Sequence, residues 1–152
     1  MDPSIVDREA FLAAGVVAPV RRGAESPELF ARIWSDFESR RGELAARAVE
    51  SSYFGVSFPT GDADVFDYLA GVAVADRSPP PAGCEIRTVA GGRFAVFACP
   101  VDGIGATYQQ IFGTWLPGAA FDFDGARASF EQYPKDTAKD PVRIHIPVRG
   151  QP

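Results

Sequence analysis

The chain alternates between two hydrophobic periods. Residues 4–10 and 12–20 read as two short strands. The stretch "AESPELFARIWSDFESRRG" then switches to helical spacing, with Leu29, Phe30, Ile33, Trp34 and Phe37 on one stripe. Ser26 suits the N-cap and Pro27 the first helical position. Gly42 is a natural stop, although "ELAARAV" has the composition for another turn or two. Trp34 and Phe37 are expected to pack in the core under this helix. "SYFGVSFP" (52–59) and "FDYLAGVAVA" (66–75) return to strand character around a "TGDAD" turn.

"DRSPPPAG" follows, and three consecutive prolines exclude both a helix interior and a central strand. Beyond it, Gly91-Gly92 separates two β-rich runs and predicts a two-residue hairpin. That register would set Cys84 opposite Cys99. "GIGATYQQIFGTWLPG" predicts a second helix, with Ile104, Tyr108, Ile111 and Trp115 on one face, Phe112 beside them, and Pro117 as its end. "ASFEQYP" and "VRIHIPVR" close the chain as strands. In the first, Phe130 and Gln132 point to one face, Glu131 and Tyr133 to the other. In the second, Val142, Ile144, Ile146 and Val148 alternate with a face of Arg143, His145, Pro147 and Arg149, which places His145 on the surface.

The elements repeat in order. "APV" (18–20) answers "CPV" (99–101), Phe30 answers Tyr108, and Ile33 answers Ile111. Trp34 answers Phe112, Phe37 answers Trp115, "SFP" (57–59) answers "QYP" (132–134), and residues 66–74 answer 140–148. The expected fold is therefore α+β: two β-β-α-β-β units, about 4–75 and 83–149, joined by a linker at 76–82. They form a single domain over 1–152 with pseudo-twofold symmetry and an antiparallel sheet. Each unit has one amphipathic helix and needs the other to cover its apolar face.

Composition narrows the function classes. A chain of 152 residues, 46% of them hydrophobic, supports a real core. The net charge of −5 and the lack of any basic stripe longer than an arginine pair argue against nucleic-acid binding. No apolar run has the length of a membrane span, and the N-terminus lacks the basic region of a secretory signal. With one histidine and two cysteines in no ligand spacing, no metal site is expected. The glycines of "GG" and "DGIG" lack the spacing of a phosphate loop and read as turns. The reading is a cytoplasmic protein with reduced thiols and no cofactor.

Five stretches, "FDYLAGVAV", "TVAGGRFAVFACPVDG", "IFGTWLP", "FEQYP" and "VRIHIPV", together resemble the GyrI-like small-molecule-binding domain. The resemblance runs from about residue 12 to 149. This module also forms the effector-binding part of some AraC-type and MerR-type multidrug regulators. It implies a concave pocket between the halves, lined by aromatics around a glutamate, that takes bulky, planar, often cationic drugs. By position, the glutamate falls on Glu131 and the aromatic wall on Tyr68, Trp115 and Tyr133, with Tyr108 and Phe112 adjoining. No DNA-binding or coiled-coil segment is read ahead of the domain. The expected partner is thus a small amphipathic aromatic molecule, bound by a stand-alone module that sequesters or senses it. Two alternatives remain open. One is a hydrolase of cyclopropane- or epoxide-bearing natural products, with Glu131 and Tyr68 catalytic. The other is a protein inhibitor of a larger enzyme.

Overall fold

The computed structural model describes residues 2–150. Strands β1 (Ser4–Arg8) and β2 (Phe11–Arg21) lead into helix α1 (Pro27–Glu38), a short α2 (Arg41–Ala45), then β3 (Tyr53–Pro59) and β4 (Val65–Val74). The second unit runs β5 (Glu85–Val89), β6 (Gly92–Cys99), α3 (Ile104–Gln110), a π-turn (Ile111–Trp115), α4 (Leu116–Gly118), a two-residue β7 (Asp122–Phe123), β8 (Ser129–Tyr133) and β9 (Val142–Arg149). α1 begins as its sequence dictates: the Ser26 hydroxyl accepts the Leu29 N–H at 3.1 Å, and Pro27 occupies the first turn. It stops at Ser39, before Gly42. The second helix is less regular. A 3₁₀ turn (Val101–Gly103) opens it, and the π-turn interrupts it before Pro117.

The strands form one antiparallel sheet in the order β1-β6-β9-β8-β3-β4-β2-β5, with β7 on β9. This order is the same from either end once the units are interchanged, so a pseudo-twofold axis passes between β3 and β8. Registers carry the repeat. Ala18 lies opposite Tyr68, and the repeat's counterparts, Cys99 and Val142, lie opposite each other as well.

Two expectations fail at the start of the second unit. β5 does not pair with β6. It pairs with β2, and β6 pairs with β1. The register is continuous: Arg8 opposite Gly92, then Phe11 opposite Val89. The chain before and after residues 9–10 therefore forms one long strand, crossed antiparallel by another through residues 90–91. Gly91 sits at the crossing, where a Cβ would lie 2.5 Å from the Ala10 nitrogen and 2.6 Å from the Arg8 carbonyl oxygen. This glycine permits close backbone approach; it does not turn a hairpin. Cys84 and Cys99 consequently lie in different places, Cys84 against the core under α1 and Cys99 in the core under α3, both as free thiols.

The crossing ties the two ends of the sheet together, and the curled sheet buries both its faces. On the helical face, Ile33, Phe37 and Leu44 cover Val16, Val20, Phe66 and Val72, and Ile111 covers Phe97, Ile144 and Ile146. The reverse face holds a separate core of Phe54, Leu69, Phe94 and Phe130. For this reason the second face of β9 is polar only at its ends, where Arg143 and Arg149 are exposed, and is buried at its centre. His145 is 4% exposed, stacked on Phe130 with ring centroids 4.2 Å apart, and Pro147 is buried too.

Candidate functional site

Glu131 sits in the middle of β8, on the helical face, beside the pseudo-twofold axis. Its main chain pairs with Gly55 of β3 on one side and Ile144 of β9 on the other. Gly55 also pairs with Ala70, the repeat's counterpart of Ile144. Gly55 and Glu131 are thus the equivalent positions of the two units, one residue out of step with the "SFP" and "QYP" match. At this point one unit supplies a carboxylate and the other a gap. A Cβ on Gly55 would collide with the Tyr68 hydroxyl and come within 2.9 Å of Glu131 Oε1.

That gap is filled by the Tyr68 hydroxyl. Glu131 Oε1 accepts from Tyr68 and Tyr133, each at 3.2 Å, and Oε2 accepts from Tyr108 at closer range. The Trp34 indole N–H donates to the Tyr68 oxygen at 3.2 Å. Rings enclose the group: Trp34 stands edge-on to Tyr133 at 5.3 Å and Phe30 edge-on to Tyr68 at 4.9 Å.

The carboxyl is 5% exposed, and among the described residues no cationic side chain pairs with it. Burial raises its pKa above the ordinary carboxylate value, against the lowering effect of the three phenol donors, Tyr108 foremost. Burial, and after it the charge of Glu131, holds the Tyr68 and Tyr108 phenols well above their usual pKa and raises that of Tyr133. The phenols are therefore donors throughout the physiological range. Cys99 adjoins the group, its thiol also raised by burial, with a smaller upward push from Glu131.

Tyr133 is the wall between this carboxylate and an open cleft of about 380 Å³. Trp34, Phe37, Tyr53, Ile104 and Pro134 line the cleft with it. A second hollow, of about 490 Å³, lies at the far end of the second helix, by Gln110, Thr114 and Trp115.

Of the six residues singled out in the sequence, the fold gathers Tyr68, Tyr108 and Tyr133 on Glu131. Trp115 and Phe112 stand outside that hydrogen-bonded group. Trp115 packs edge-on to Phe97 at 5.1 Å, and Phe112, 42% exposed, stacks outside Tyr108 and against Phe123. Trp34 and Gly55 were not among the expected site residues. The position of Trp34 on the apolar stripe is correct, but its indole N–H needs an acceptor, and the stripe cannot show that the acceptor is Tyr68. Gly55 carried one signal, a glycine inside a strand, which often marks a close approach. Among the described residues no group of three or more His, Cys, Asp or Glu side chains is placed to hold a metal ion.

Comparison with known proteins agrees with this architecture. The family described as GyrI-like small molecule binding domain matches residues 1–149. No curated protein matches the chain in sequence. A solved structure of SAV2435 bound to tetraphenylphosphonium superposes with a TM-score of 0.83 at 17% identity, covering 99% of this chain and 95% of that one. A putative transcription regulation protein from Staphylococcus aureus MU50 gives 0.78 at 15% identity, with 99% of each chain covered. An integron cassette protein from the mobile metagenome of Vibrio cholerae gives 0.75 at 16% identity, over 97% of this chain and 96% of that one.

Proposed function

Because the chain belongs to the GyrI-like small molecule binding domain family, we propose that it binds bulky aromatic cations, with Glu131 as their counter-charge. The carrying observation is a buried carboxylate that has three phenol donors and, among the described residues, no cationic partner. Such a group costs free energy to hold in a protein interior. A cation brought to the site offsets that cost, which a neutral molecule of the same shape does not do. The charge acts through the tyrosine rings as well as by contact. At about 7 Å and an effective dielectric of about 20, a unit pair is worth about 2 kcal/mol. The faces of Trp34 and Tyr133 add cation–π attraction of about 0.5–2 kcal/mol each where a ligand lies over them. The cleft beside Tyr133 is the approach for the ligand's aromatic body. The tetraphenylphosphonium carried by SAV2435 is a ligand of this class.

Trp34 reports the event, since it touches both Tyr68 and Tyr133. Titrating the protein with tetraphenylphosphonium should quench or shift tryptophan emission saturably. Glu131→Gln keeps shape and removes charge, and should weaken binding about tenfold to thirtyfold, matching the 2 kcal/mol above. An unchanged affinity in that variant would remove Glu131 from the site.

A further inference from the structure

The cleft on the outer side of Tyr133 has a chemistry of its own. Its inner wall is apolar, but its rim carries Arg41, Lys135, Thr137 and Glu38. Arg41 is held in place there. Its guanidinium donates to the Tyr53 hydroxyl at 2.8 and 3.1 Å, lies over the Tyr53 ring at 5.1 Å, and meets Glu38 at 3.5 Å while its side chain stays half exposed. Lys135 is exposed and forms no ion pair or side-chain hydrogen bond among the described residues. Two cations against one carboxylate make this rim positive on a molecule whose net charge is −5. The same cleft therefore has a negative group behind its inner wall, beyond Tyr133, and a positive rim at its mouth.

We propose that this rim is a second subsite, and that the preferred ligand is an amphoteric aromatic molecule. Its cationic ring system lies toward Tyr133 and Glu131, and a carboxylate on it meets Arg41 and Lys135. The Nε and Nη2 donors of Arg41 are taken by Tyr53 and Nη1 faces Glu38, so Arg41 supplies a fixed positive charge together with the N–H groups left over on Nη1 and Nη2. Lys135 supplies a mobile point charge, and the Thr137 hydroxyl supplies a further donor. The inference rests on the cation-binding reading above and adds to it the other end of the ligand.

A matched dye pair tests it. Rhodamine B carries a free carboxylate on a cationic ring system, and its ethyl ester carries the same rings without the negative charge. Fluorescence anisotropy titrations at low salt should give the zwitterion about fivefold tighter binding to the wild-type protein, the scale of a half-exposed ion pair. Raising the salt should shrink that preference. Lys135→Gln should reduce it, and Arg41→Gln with Lys135→Gln should bring the zwitterion down to the ester. Glu131→Gln should weaken both dyes together. Equal binding of the two dyes to the wild-type protein, or a preference that survives the double substitution, would overturn the subsite. Ester binding that depends on Glu131 without any zwitterion preference would overturn this inference and leave the cation site standing. Failure of both dyes to bind would overturn the two together.

Discussion

Two buried titratable side chains, Glu131 and His145, sit on neighbouring strands and lie on opposite faces of the sheet. Their effects on stability have opposite signs. The folded state raises the pKa of Glu131 above 4.5, chiefly by burial. Its contribution is fully present below the unfolded value and is lost as the pH rises through the folded one. Glu131→Gln should therefore stabilise the free protein at neutral pH and lose that advantage near pH 4, read by thermal melts across the range. His145 is pushed down from 6.5 to about 4 by burial, and by the positive charges of Arg8 and Arg143 to a smaller extent. Its contribution is full above 6.5, is lost as the pH falls through about 4, and amounts to about 3 kcal/mol. A His145→Gln variant should melt with much less dependence on pH between 6.5 and 4. If its acid transition matched that of the wild type, the buried neutral imidazole would not be the cause. Gly55 is the third sensitive position. Gly55→Ala puts a methyl group onto the Tyr68 hydroxyl and should cost about 1–3 kcal/mol of stability. It should also weaken tetraphenylphosphonium binding, because the methyl group displaces Tyr68 and crowds Glu131 Oε1.

At the level of elements, what could be read from the sequence depended on whether the information was local. α1 was legible because its cap, its proline and its stripe of Leu29, Ile33 and Phe37 all lie within one segment. β3 and β4 were legible for the same reason, and so was the alternation that sends Phe130 to one core and Glu131 to the other face. The crossing of the β1–β2 and β5–β6 strands was not. Gly91-Gly92 has the composition of a hairpin turn, and nothing nearby reveals that β5 finds its partner in β2, some seventy residues earlier. The burial of His145 escapes the sequence for a related reason. Alternation shows which side chains share a face, but whether the reverse face is wet depends on how the sheet closes. The π-turn at Ile111–Trp115 also had no signal in the apolar spacing. The crossing can be tested directly. Gly91→Ala should destabilise by about 1–3 kcal/mol through contact with the Arg8–Ala10 backbone, whereas Gly61→Ala, with nothing near its Cβ, should be close to neutral. Equal melting temperatures for the two variants would contradict the close crossing.

At the scale of the whole molecule, duplication explains where Glu131 lies and divergence explains why its surroundings differ between the two units. The pseudo-twofold axis brings β3 and β8 together, so equivalent positions from the two units become neighbours at the centre of the sheet. Identical residues there would crowd or repel one another. In this chain one is Gly55 and the other Glu131, and Tyr68 faces them where its counterpart is Val142. The repeat is legible in the order of short matches, and the resemblance points to Glu131. The one-residue shift between "SFP" and "QYP" hid the pairing of Glu131 with the gap, because only the registers on β4 and β9 define it. In the proposed function, the charge of this carboxylate, rather than the hydrophobic cleft alone, selects the ligand. Tetraphenylphosphonium and tetraphenylborate have nearly the same size and shape and opposite charge. Isothermal titration of both, into the wild-type protein and Glu131→Gln, separates charge from shape. The wild type should favour the phosphonium, and Glu131→Gln should narrow the gap from both sides, weakening the cation and strengthening the anion. Equal affinities in the wild type, or a gap untouched by the substitution, would contradict selection by charge.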